Sequence, residues 1–203
     1  MKIICIGRNY VKHIEELNSE RPDEPVIFLK PDSSILRKNR PFFIPDFSND
    51  LHHEVELVIK IDKVGKSISR KYANRYYSSV GLGIDFTARD LQNKLKDKGL
   101  PWEKSKAFDF SAAIGNDFVP LKELDTKNIR FSLDINGETR QTGESSHMIF
   151  QFDELIEHIS KFFILKTGDL IYTGTPAGVG PVKINDRLEG FIEDRKIFDF
   201  LIK

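Results

Sequence analysis

The stretch Glu54-Val55-Glu56-Leu57-Val58-Ile59-Lys60-Ile61 decides the fold class of this 203-residue chain. A strand period of two places the four odd-numbered apolar residues of the stretch on one face and the two glutamates on the other. Other β-rich runs occur at Val26–Leu29, Val80–Phe86, Ile129–Ile135, Leu170–Tyr172, Leu188–Ile192 and Ile197–Ile202. These runs are separated by few helices and lack the regular alternation of a doubly wound sheet. The sequence therefore predicts an α+β, mainly β roll.

Turn and helix signals complete this outline. Asn136-Gly137 lies between two β-rich runs and predicts an antiparallel hairpin, because both residues tolerate a positive φ. Helices are predicted at Tyr10–Leu17, at Ala88–Lys96 with Thr87 as N-cap, and at Glu154–Phe163. In the third helix a stripe that includes Phe162 is expected to face the core.

Charge and composition exclude several classes of protein. Lys and Arg total 31 and Asp and Glu total 31, so the net charge is zero. Nucleic-acid binders usually carry a basic surplus, so no nucleic-acid partner is expected. The longest apolar run, Phe162–Leu165, is far shorter than the ~18 residues that a membrane-spanning helix requires, so no membrane partner is expected.

Length and the first residues indicate a single cytoplasmic domain. A chain of this size is expected to form one domain, residues 1–203. It opens directly on the apolar strand Lys2–Ile6 with no recognisable leader, which predicts a cytoplasmic location. Cys5 is the one cysteine and lies in that strand, so we expect a buried thiol and no intramolecular disulfide.

Three carboxylates stand out as candidate metal ligands. Glu54 and Glu56 are two apart on one strand, so their Cα atoms lie about 6.7 Å apart at ~3.3 Å per residue. A solvated sheet face is the alternative interpretation of this pair. Asp85 ends the apolar segment Ser79–Asp85, where an ionised carboxylate needs a partner. Together the three favour an all-oxygen site for Mg²⁺, with Mn²⁺ or Ca²⁺ as substitutes.

Two further pairs are candidates for binding and proton transfer. Arg89 and Gln92 are three apart on the second predicted helix, and both can reach one ligand carboxylate or carbonyl. His13 and Glu16 are three apart on the first helix, so Glu16 can hold His13 as an oriented base. An exposed helix face is the alternative interpretation of the Arg89–Gln92 pair. For His13 and Glu16 the spacing alone favours an ordinary surface pair, because the helix is generally charged.

The loop Thr173–Gly180 is the one Gly-dense stretch. Its backbone N–H groups and the Thr175 hydroxyl can bind a small carboxylate, although a tight turn between strands has the same composition. It contains neither a P-loop nor a dinucleotide fingerprint, so nucleotides are not expected.

Taken in order, eight segments of the chain resemble the fumarylacetoacetate hydrolase family. The segments are Gly7-Arg8-Asn9-Tyr10 with His13 and Glu16, Phe28-Leu29-Lys30-Pro31, His53-Glu54-Val55-Glu56, Asp85 to Gln92, Lys104 to Phe108, Asn136-Gly137-Glu138 with Arg140-Gln141, Met148-Ile149-Phe150, and Thr173 to Gly180. Each motif is weak alone, but their common order across nearly the whole chain is specific.

The resemblance implies a mixed β-sandwich roll of the C-terminal-domain type of that family, usually a homodimer. It implies Mg²⁺ ligands at Glu54, Glu56 and Asp85. It also implies a water-activating dyad of His13 and Glu16 on a lid that orders over substrate. The polar, Pro-containing segment 18–25 has the composition expected of such a lid, although such loops are common on any surface. Lys106 is implied as a further catalytic residue. The implied substrate-binding residues are Arg89, Gln92, Thr175 and Lys30.

The segment Gly99–Trp102 is similar to the acylpyruvase and oxaloacetate decarboxylase branch of the family. That similarity implies cleavage of a carbon–carbon bond in a small 2-oxo acid through a metal-stabilised enolate. The substrate is expected to be an acylpyruvate, of acetylpyruvate or fumarylpyruvate type, or oxaloacetate. An isomerase or hydratase of dienoates such as 2-hydroxyhepta-2,4-diene-1,7-dioate is the alternative. An inactive module that binds a metal or a small acid is more remote, because His13, Glu16 and Lys106 are all present.

Overall fold

The computed structural model describes residues 1–16 and 20–203, and within them the predicted mainly β, α+β fold is confirmed. The strands are β1 (Ile3–Gly7), β2 (Val26–Lys30), β3 (Ile35–Leu36), β4 (Leu51–His53), β5 (Val55–Lys60), β6 (Ser79–Asp85), β7 (Thr87–Ala88), β8 (Ala112–Ile114), β9 (Val119–Pro120), β10 (Arg130–Ile135), β11 (Glu138–Glu144), β12 (Leu170–Tyr172), β13 (Gly180–Pro181), β14 (Arg187–Ile192) and β15 (Arg195–Leu201). The α-helices are α1 (Val11–Glu16), α2 (Arg89–Asp97), α3 (Glu103–Lys106) and α4 (Phe152–Phe162).

The main sheet is mixed and runs in the order β2-β1-β12-β5-β6-β8-β3, with β9 pairing to β6 beside this path. The β1–β12 and β3–β8 pairs are parallel, whereas the pairs formed by β5 and β6 are antiparallel. Strand β5 is therefore an interior strand with neighbours on both edges. Residues 55–59 of β5 are all buried, and all of them except Glu56 are apolar, as in a strand that is covered on both faces.

A second sheet, β11-β10-β14-β15, packs against the main one. The β10–β11 connection is the predicted hairpin, with φ of 55° at Asn136 and 79° at Gly137. Side chains of both sheets, among them Leu57, Leu82 and Leu133, form the main hydrophobic core between them. This arrangement is a sandwich, as predicted.

The opposite face of the main sheet has an apolar part and a part that carries buried carboxylates. Part of it holds a smaller apolar cluster formed by Ile3, Cys5, Val58, Ala112, Ile114, Leu170 and Tyr172. Glu54 and Glu56 share this face, because they have the same strand parity as Val58. Both glutamates are buried. A solvated face, the alternative interpretation of the pair, is wrong because helices and loops cover this side of the sheet.

A third small sheet, β13-β4-β7, brings the start of α2 to the start of β5. Leu51 pairs with Ala88 and His52 with Thr87. The backbone N–H of Arg89 donates to the carbonyl of Asp50 at 2.8 Å. These contacts fix the first turn of α2 beside Glu54.

The helices differ from the predictions at their ends. Helix α1 begins one residue later than predicted, and the predicted last residue, Leu17, lies outside the described residues. The first two residues of the predicted lid segment 18–25 also lie outside the described residues. The described part of that segment, residues 20–25, contains neither helix nor strand. The prediction of Thr87 as an N-cap is wrong, because Thr87 belongs to β7 and its hydroxyl donates to the carbonyl of Asp85 at 3.2 Å.

Helix α4 begins two residues earlier than predicted. Gln151 and Glu154 form a capping box there, and the Gln151 N–H donates to the Glu154 carboxylate at 2.9 Å. Phe162 is 60% exposed, so its predicted place in the core is wrong. The helix ends at Phe162, and the preceding apolar positions already fill the core. None of the helices in the described residues has the length and apolar character needed to cross a bilayer.

Candidate active site

Three buried carboxylates converge at the ends of β5 and β6. The N–H of Asp85 donates to the carbonyl of Glu54 at 2.8 Å, so these two residues face each other across the strand pair. Glu56 is two positions further along β5 and therefore lies on the same face. All three are at most 4% exposed. Each offers an oxygen atom within 4.8 Å of the other two, so the structure brings the predicted ligand set together.

Lys106 supplies positive charge at the centre of this cluster. Its Nζ lies 2.7 Å from Glu54 Oε2, 2.8 Å from Asp85 Oδ2 and 2.6 Å from Thr87 Oγ1. Burial alone would lower the pKa of Lys106, but the negative charges of Asp85 and Glu54 outweigh it and raise the pKa. Lys106 is therefore a charged ammonium in a water-poor site. It ends α3, a four-residue helix too short to predict from its sequence.

Lys30 reaches Asp85 from the interior of the sheet. Its Nζ lies 2.6 Å from Asp85 Oδ1 and donates to the Ser111 carbonyl at 2.9 Å and to the Ser111 hydroxyl at 3.0 Å. The Lys30 ammonium does not line the cavity around the carboxylates. The structure thus places Lys30 behind a candidate metal ligand and away from the position of a substrate. Asp85 Oδ1 has this ion-pair partner but accepts no hydrogen bond of good geometry.

The two glutamates have opposite electrostatic surroundings. Burial alone would raise the pKa of Glu54, but Lys106 and Arg89 outweigh it and hold the pKa well below the usual range. For Glu56, burial and the charges of Asp85 and Glu54 raise the pKa well above the usual range. The N–H of Gly174, 2.7 Å from Glu56 Oε2, only partly opposes this shift. Among the described residues, Glu56 therefore has no ion-pair partner, and the charge of Lys106 only partly offsets the rise of its pKa.

The residues fit a hard divalent cation. Three carboxylates form an all-oxygen donor set, and such sets suit Mg²⁺, Mn²⁺ or Ca²⁺ better than zinc. One carboxylate lacks a positive partner and another has an oxygen without an aligned donor. A cation held between them would satisfy both groups.

Arg89 and Gln92 form one connected pair on α2. The guanidinium donates through Nη2 to Glu54 Oε1 at 2.5 Å and through Nη1 to Gln92 Oε1 at 2.6 Å. Both side chains are buried, so the alternative of an exposed helix face is wrong. Because the Gln92 oxygen accepts from Arg89, its amide NH₂ is left to donate into the cavity.

His13 and Glu16 also form the predicted pair. His13 Nδ1 lies 3.2 Å from Glu16 Oε2, and Glu16 Oε1 accepts from the N–H of Gly178 at 3.0 Å. Burial lowers the pKa of His13, although the charges of Glu54 and Glu16 oppose the shift. The imidazole is thus neutral at pH 7 and able to accept a proton. Because His13 is buried and lines the cavity, the interpretation as an ordinary surface pair is wrong.

Gln141 is a polar residue of the site that the sequence analysis did not single out. Its Oε1 accepts from the Val55 N–H at 3.0 Å and lies 2.9 Å from His53 Nδ1. Its Nε2 donates to Thr175 Oγ1 at 2.9 Å and to the Pro176 carbonyl at 3.0 Å. Gln141 therefore fixes Thr175, which lines the cavity, relative to the start of β5. A sequence signal did exist, since Gln141 belongs to one of the eight segments that resemble the family, although no role was predicted for it.

The cavity around these groups is small. Its volume is about 40 Å³, little more than the ~30 Å³ share of one water molecule. His13 lies on one side of it, and Phe28 and Trp102 on another. A groove of about 840 Å³ lies on another side of α1, lined by Tyr10 and Val11 among others. We place the chemistry in the small cavity, because the larger groove contains none of the three buried carboxylates and neither Lys106 nor Arg89. An organic acid enters the small cavity only if side chains or α1 move.

Comparison with known proteins agrees with this geometry. The family model for the C-terminal domain of fumarylacetoacetate (FAA) hydrolase matches residues 2–200. The chain is 43% identical over 191 residues to the mitochondrial oxaloacetate tautomerase of Bos taurus. The aligned region covers 94% of this chain and 86% of that protein.

Two solved structures show the same fold. A family protein from Yersinia pestis CO92 superposes with a TM-score of 0.94 at 40% identity, over 100% of this chain and 93% of that one. Fumarylpyruvate hydrolase from Pseudomonas aeruginosa, in complex with Mn²⁺ and pyruvate, superposes with a TM-score of 0.92 at 33% identity. The superposition covers 100% of this chain and 89% of the hydrolase chain. The predicted resemblance and sandwich roll are confirmed.

Proposed function

Because the chain belongs to the fumarylacetoacetate hydrolase family, we propose that it is a metal-dependent enzyme that converts a small 2-oxo acid through an enolate. One observation carries the proposal most directly. The ammonium of Lys106 lies between Glu54 and Asp85 in a buried cluster of three carboxylates. Such a site concentrates positive charge where an enolate oxygen needs it and excludes water that would weaken the interaction.

The first candidate reaction is keto–enol interconversion of oxaloacetate. It is supported by 43% identity to a protein named oxaloacetate tautomerase across 94% of this chain. In this reaction a proton leaves C3, its bonding electrons form the enolate, and a proton added to the oxygen gives the enol. No carbon–carbon bond breaks.

The second candidate is the carbon–carbon bond cleavage predicted from the sequence. It is supported by the likeness to a fumarylpyruvate hydrolase solved with Mn²⁺ and pyruvate. For an acylpyruvate, water adds to the distal carbonyl, the adjacent carbon–carbon bond breaks, and its electrons leave with pyruvate as the enolate. For oxaloacetate, carbon dioxide departs and the same enolate remains, with no water consumed. All these reactions pass through the enolate of a 2-oxo acid, of oxaloacetate in tautomerisation and of pyruvate in the other two.

Glu54, Glu56 and Asp85 would hold the cation, for which we propose Mg²⁺, with Mn²⁺ or Ca²⁺ as substitutes. When bound, a divalent cation acts as a Lewis acid that polarises the 2-oxo group and stabilises negative charge on its oxygen. Lys30 supports this ligand set from behind Asp85, a role that replaces the direct substrate contact implied by the sequence resemblance.

Lys106 and the α2 pair act on the substrate itself. The ammonium charge of Lys106 stabilises the negative charge that develops on the enolate oxygen, and its raised pKa keeps it cationic through the reaction. Arg89, fixed by Glu54 and Gln92, faces the substrate carboxylate with its guanidinium. Gln92 donates its amide N–H to the same ligand. Thr175, held by Gln141, contributes a hydroxyl at the opposite wall.

His13 moves the proton. Its neutral imidazole takes a proton from C3 in tautomerisation, or from water in acylpyruvate hydrolysis. Glu16 accepts from the ring at Nδ1 and stabilises the imidazolium that forms. Both tasks need a base beside the cavity, and His13 lines it. Decarboxylation of oxaloacetate needs no such base.

A panel of substrates with Mg²⁺ tests the proposal. Oxaloacetate is assayed for loss of the enol absorption and for pyruvate formation, and acetylpyruvate and fumarylpyruvate are assayed for cleavage. We expect at least one reaction to exceed the rate with Mg²⁺ alone and Lys106→Met to abolish it. His13→Ala should lower tautomerisation and hydrolysis about 10²- to 10⁴-fold and decarboxylation much less. Rates equal to buffer with Mg²⁺ for every substrate would refute the proposal.

The two rival functions give different products. Conversion of 2-hydroxyhepta-2,4-diene-1,7-dioate with none of the three 2-oxo acids turned over would establish the dienoate isomerase or hydratase. Binding of Mg²⁺ and pyruvate with no turnover would establish the inactive module. His13 and Lys106 line one cavity and Glu16 contacts His13, which supports an enzyme.

We also propose a single catalytic domain over residues 1–203, a cytoplasmic location and a homodimer. The family match over residues 2–200 supports the first. Exposed aromatic side chains support the third, since Phe43 is 69% and Phe47 is 53% exposed. Light scattering coupled to size-exclusion chromatography measures the oligomeric state, and fractionation of the source cells measures the location.

A further inference from the structure

Helix α2 presents a third polar side chain to the cavity. Arg89, Gln92 and Lys96 are spaced i, i+3 and i+7, so they form one stripe along the helix. All three line the cavity that contains the carboxylates. Lys96 lies two turns beyond Arg89, at the end of the stripe farther from Glu54.

An aromatic pair connects Lys96 to the catalytic lysine. Lys96 Nζ lies 5.8 Å from the centre of the Trp102 ring, and Trp102 meets Phe28 edge to face at 6.2 Å. Phe28 in turn lies 5.4 Å from Lys106 Nζ. The cavity therefore has an aromatic wall with an ammonium at each end, one beside the carboxylates and one away from them.

Arg8 is a second cation of this region. It lies between β1 and α1 with a φ of 58°, a left-handed conformation that arginine rarely adopts. Its side chain lines the same cavity. Burial and the charges of Arg89, Arg8 and Lys106 lower the pKa of Lys96, which agrees with several cations facing one space.

Two of the cations that line the cavity have no ion-pair partner among the described residues. Of the four Arg and Lys residues that line it, Arg89 and Lys106 pair with Glu54 and Asp85. Neither Arg8 nor Lys96 forms an ion pair with any of the described residues. A divalent cation on the carboxylates would add further positive charge. The cavity then favours a ligand with more than one negative charge.

We propose that Lys96 and Arg8 bind the second carboxylate of a dicarboxylic 2-oxo acid, so that this end of the cavity selects dicarboxylates over monocarboxylates. This assignment rests on the proposed function and specifies the class of 2-oxo acid that the site accepts, namely dicarboxylates. The first carboxylate and the 2-oxo group lie toward Glu54 and Lys106. The carbon chain runs along Phe28 and Trp102, and the distal carboxylate meets the ammonium and the guanidinium.

The position of Trp102 provides a direct binding assay. Trp102 is the one tryptophan in the chain, so its fluorescence reports on this end of the cavity alone. The probes are oxaloacetate and 2-oxobutanoate, which have four carbons each and differ in the distal carboxylate. Binding is followed by stopped-flow fluorescence at saturating Mg²⁺ before turnover, and a ligand without a signal is measured by its displacement of oxaloacetate. The variants are Lys96→Met, Lys96→Arg and Arg8→Gln. Lys94→Met, on the exposed side of α2, is the control.

We expect wild type to bind oxaloacetate more tightly than 2-oxobutanoate. Lys96→Met and Arg8→Gln should each raise the Kd for oxaloacetate about 10-fold, because a charge-assisted hydrogen bond is lost, and change the Kd for 2-oxobutanoate less than about 2-fold. Lys96→Arg should keep the preference, and Lys94→Met should match wild type. Unchanged melting temperatures establish that the variants are folded.

Two results would overturn the assignment. If wild type binds both acids and the Lys96 and Arg8 variants weaken them equally or not at all, the distal carboxylate is bound elsewhere and the proposed function is unaffected. If wild type binds neither acid with Mg²⁺ present, the proposed function fails and the assignment fails with it.

Discussion

Gln141 Nε2 donates a hydrogen bond to Thr175 Oγ1 across 2.9 Å, which joins the hairpin strand β11 to the loop after β12. The same side chain accepts from the N–H of Val55, the residue between the two candidate metal ligands of β5. One buried amide thus connects two walls of the cavity. Its donors and acceptors are matched by four partners, and no apolar side chain can replace them.

Gln141→Leu should therefore destabilise the protein strongly. It removes the hydrogen-bond partner of the buried Val55 N–H, the donor to Thr175 Oγ1 and the shorter of the two hydrogen bonds to the Pro176 carbonyl. A buried polar group left unpaired costs about 1–3 kcal/mol. We expect the free energy of unfolding to fall by about 3 kcal/mol or more, measured by urea denaturation. Arg140→Ala is the matched control, because Arg140 is exposed and pairs with the exposed Glu138. An equally small effect of both substitutions would contradict the role of Gln141.

Gly178→Ala tests the contact between the loop and α1. Gly178 has a φ of 98°, and a Cβ there would lie 2.6 Å from the Arg140 carbonyl oxygen. Gly137→Ala is the control, since Gly137 has a φ of 79° and open space around it. We expect the control to lose about 1–2 kcal/mol through its backbone conformation alone. The Gly178 variant should lose more.

The Gly178 variant should also lose activity, because the N–H of Gly178 holds Glu16, which orients His13. The readout is kcat at saturating substrate. Equal stabilities and full activity in both glycine variants would show that the loop accommodates a Cβ at residue 178 without strain. They would also show that the hydrogen bond from Gly178 to Glu16 is not needed for activity.

The pH dependence of activity should follow His13. Burial lowers its pKa, so the neutral, proton-accepting form persists below the usual value of about 6.5. The acid limb of kcat/KM should therefore fall below pH 6.5. Glu16 raises the pKa of His13 through its hydrogen bond and charge, so Glu16→Gln should move the acid limb to still lower pH while lowering the maximal rate. An acid limb at or above pH 7 would contradict a buried neutral base.

The sequence was sufficient for the fold class because the apolar runs are long and their order is distinctive. Strand β12 matches its predicted range, β5 ends one residue earlier than predicted, and β6 begins and ends one residue earlier than predicted. The two-residue strands β7 and β13 could not be predicted, since pairing partners distant in the chain define them. Phe162 was misplaced because helical periodicity cannot show where the core ends.

The sequence indicated which residues lie together at the site, but it did not indicate all of the contacts between them. Spacing identified Glu54, Glu56 and Asp85, but burial on both faces of β5 depends on the helices and loops that cover the sheet. The Lys30–Asp85 ion pair joins residues 55 positions apart, so no local pattern indicated that Lys30 lies behind the ligand. The i, i+3, i+7 spacing of Arg89, Gln92 and Lys96 is evident in the sequence. Only the structure shows that Lys96 forms no ion pair with any of the described residues.

Removal of the divalent cation should abolish activity and lower thermal stability. A cation that binds the folded chain at 100 times its Kd stabilises it by about 2.7 kcal/mol. We expect Mg²⁺ or Mn²⁺ to raise the melting temperature of EDTA-treated protein, and Asp85→Asn or Glu56→Gln to suppress that rise. Glu138→Gln is the control, because the Glu138 side chain is 72% exposed. A full metal-induced rise in the Asp85 and Glu56 variants would place the cation elsewhere.

The uptake of solvent deuterium tests enolate formation, which all the candidate reactions share. Oxaloacetate is incubated in D₂O with the protein and Mg²⁺, and NMR follows deuterium at C3 of oxaloacetate and in the methyl group of any pyruvate formed. We predict labelling well above the rate with Mg²⁺ alone, lost on adding EDTA and lost in Lys106→Met. Labelling no faster than the Mg²⁺ background, or unchanged in the Lys106 variant, would contradict an enolate stabilised in this cavity.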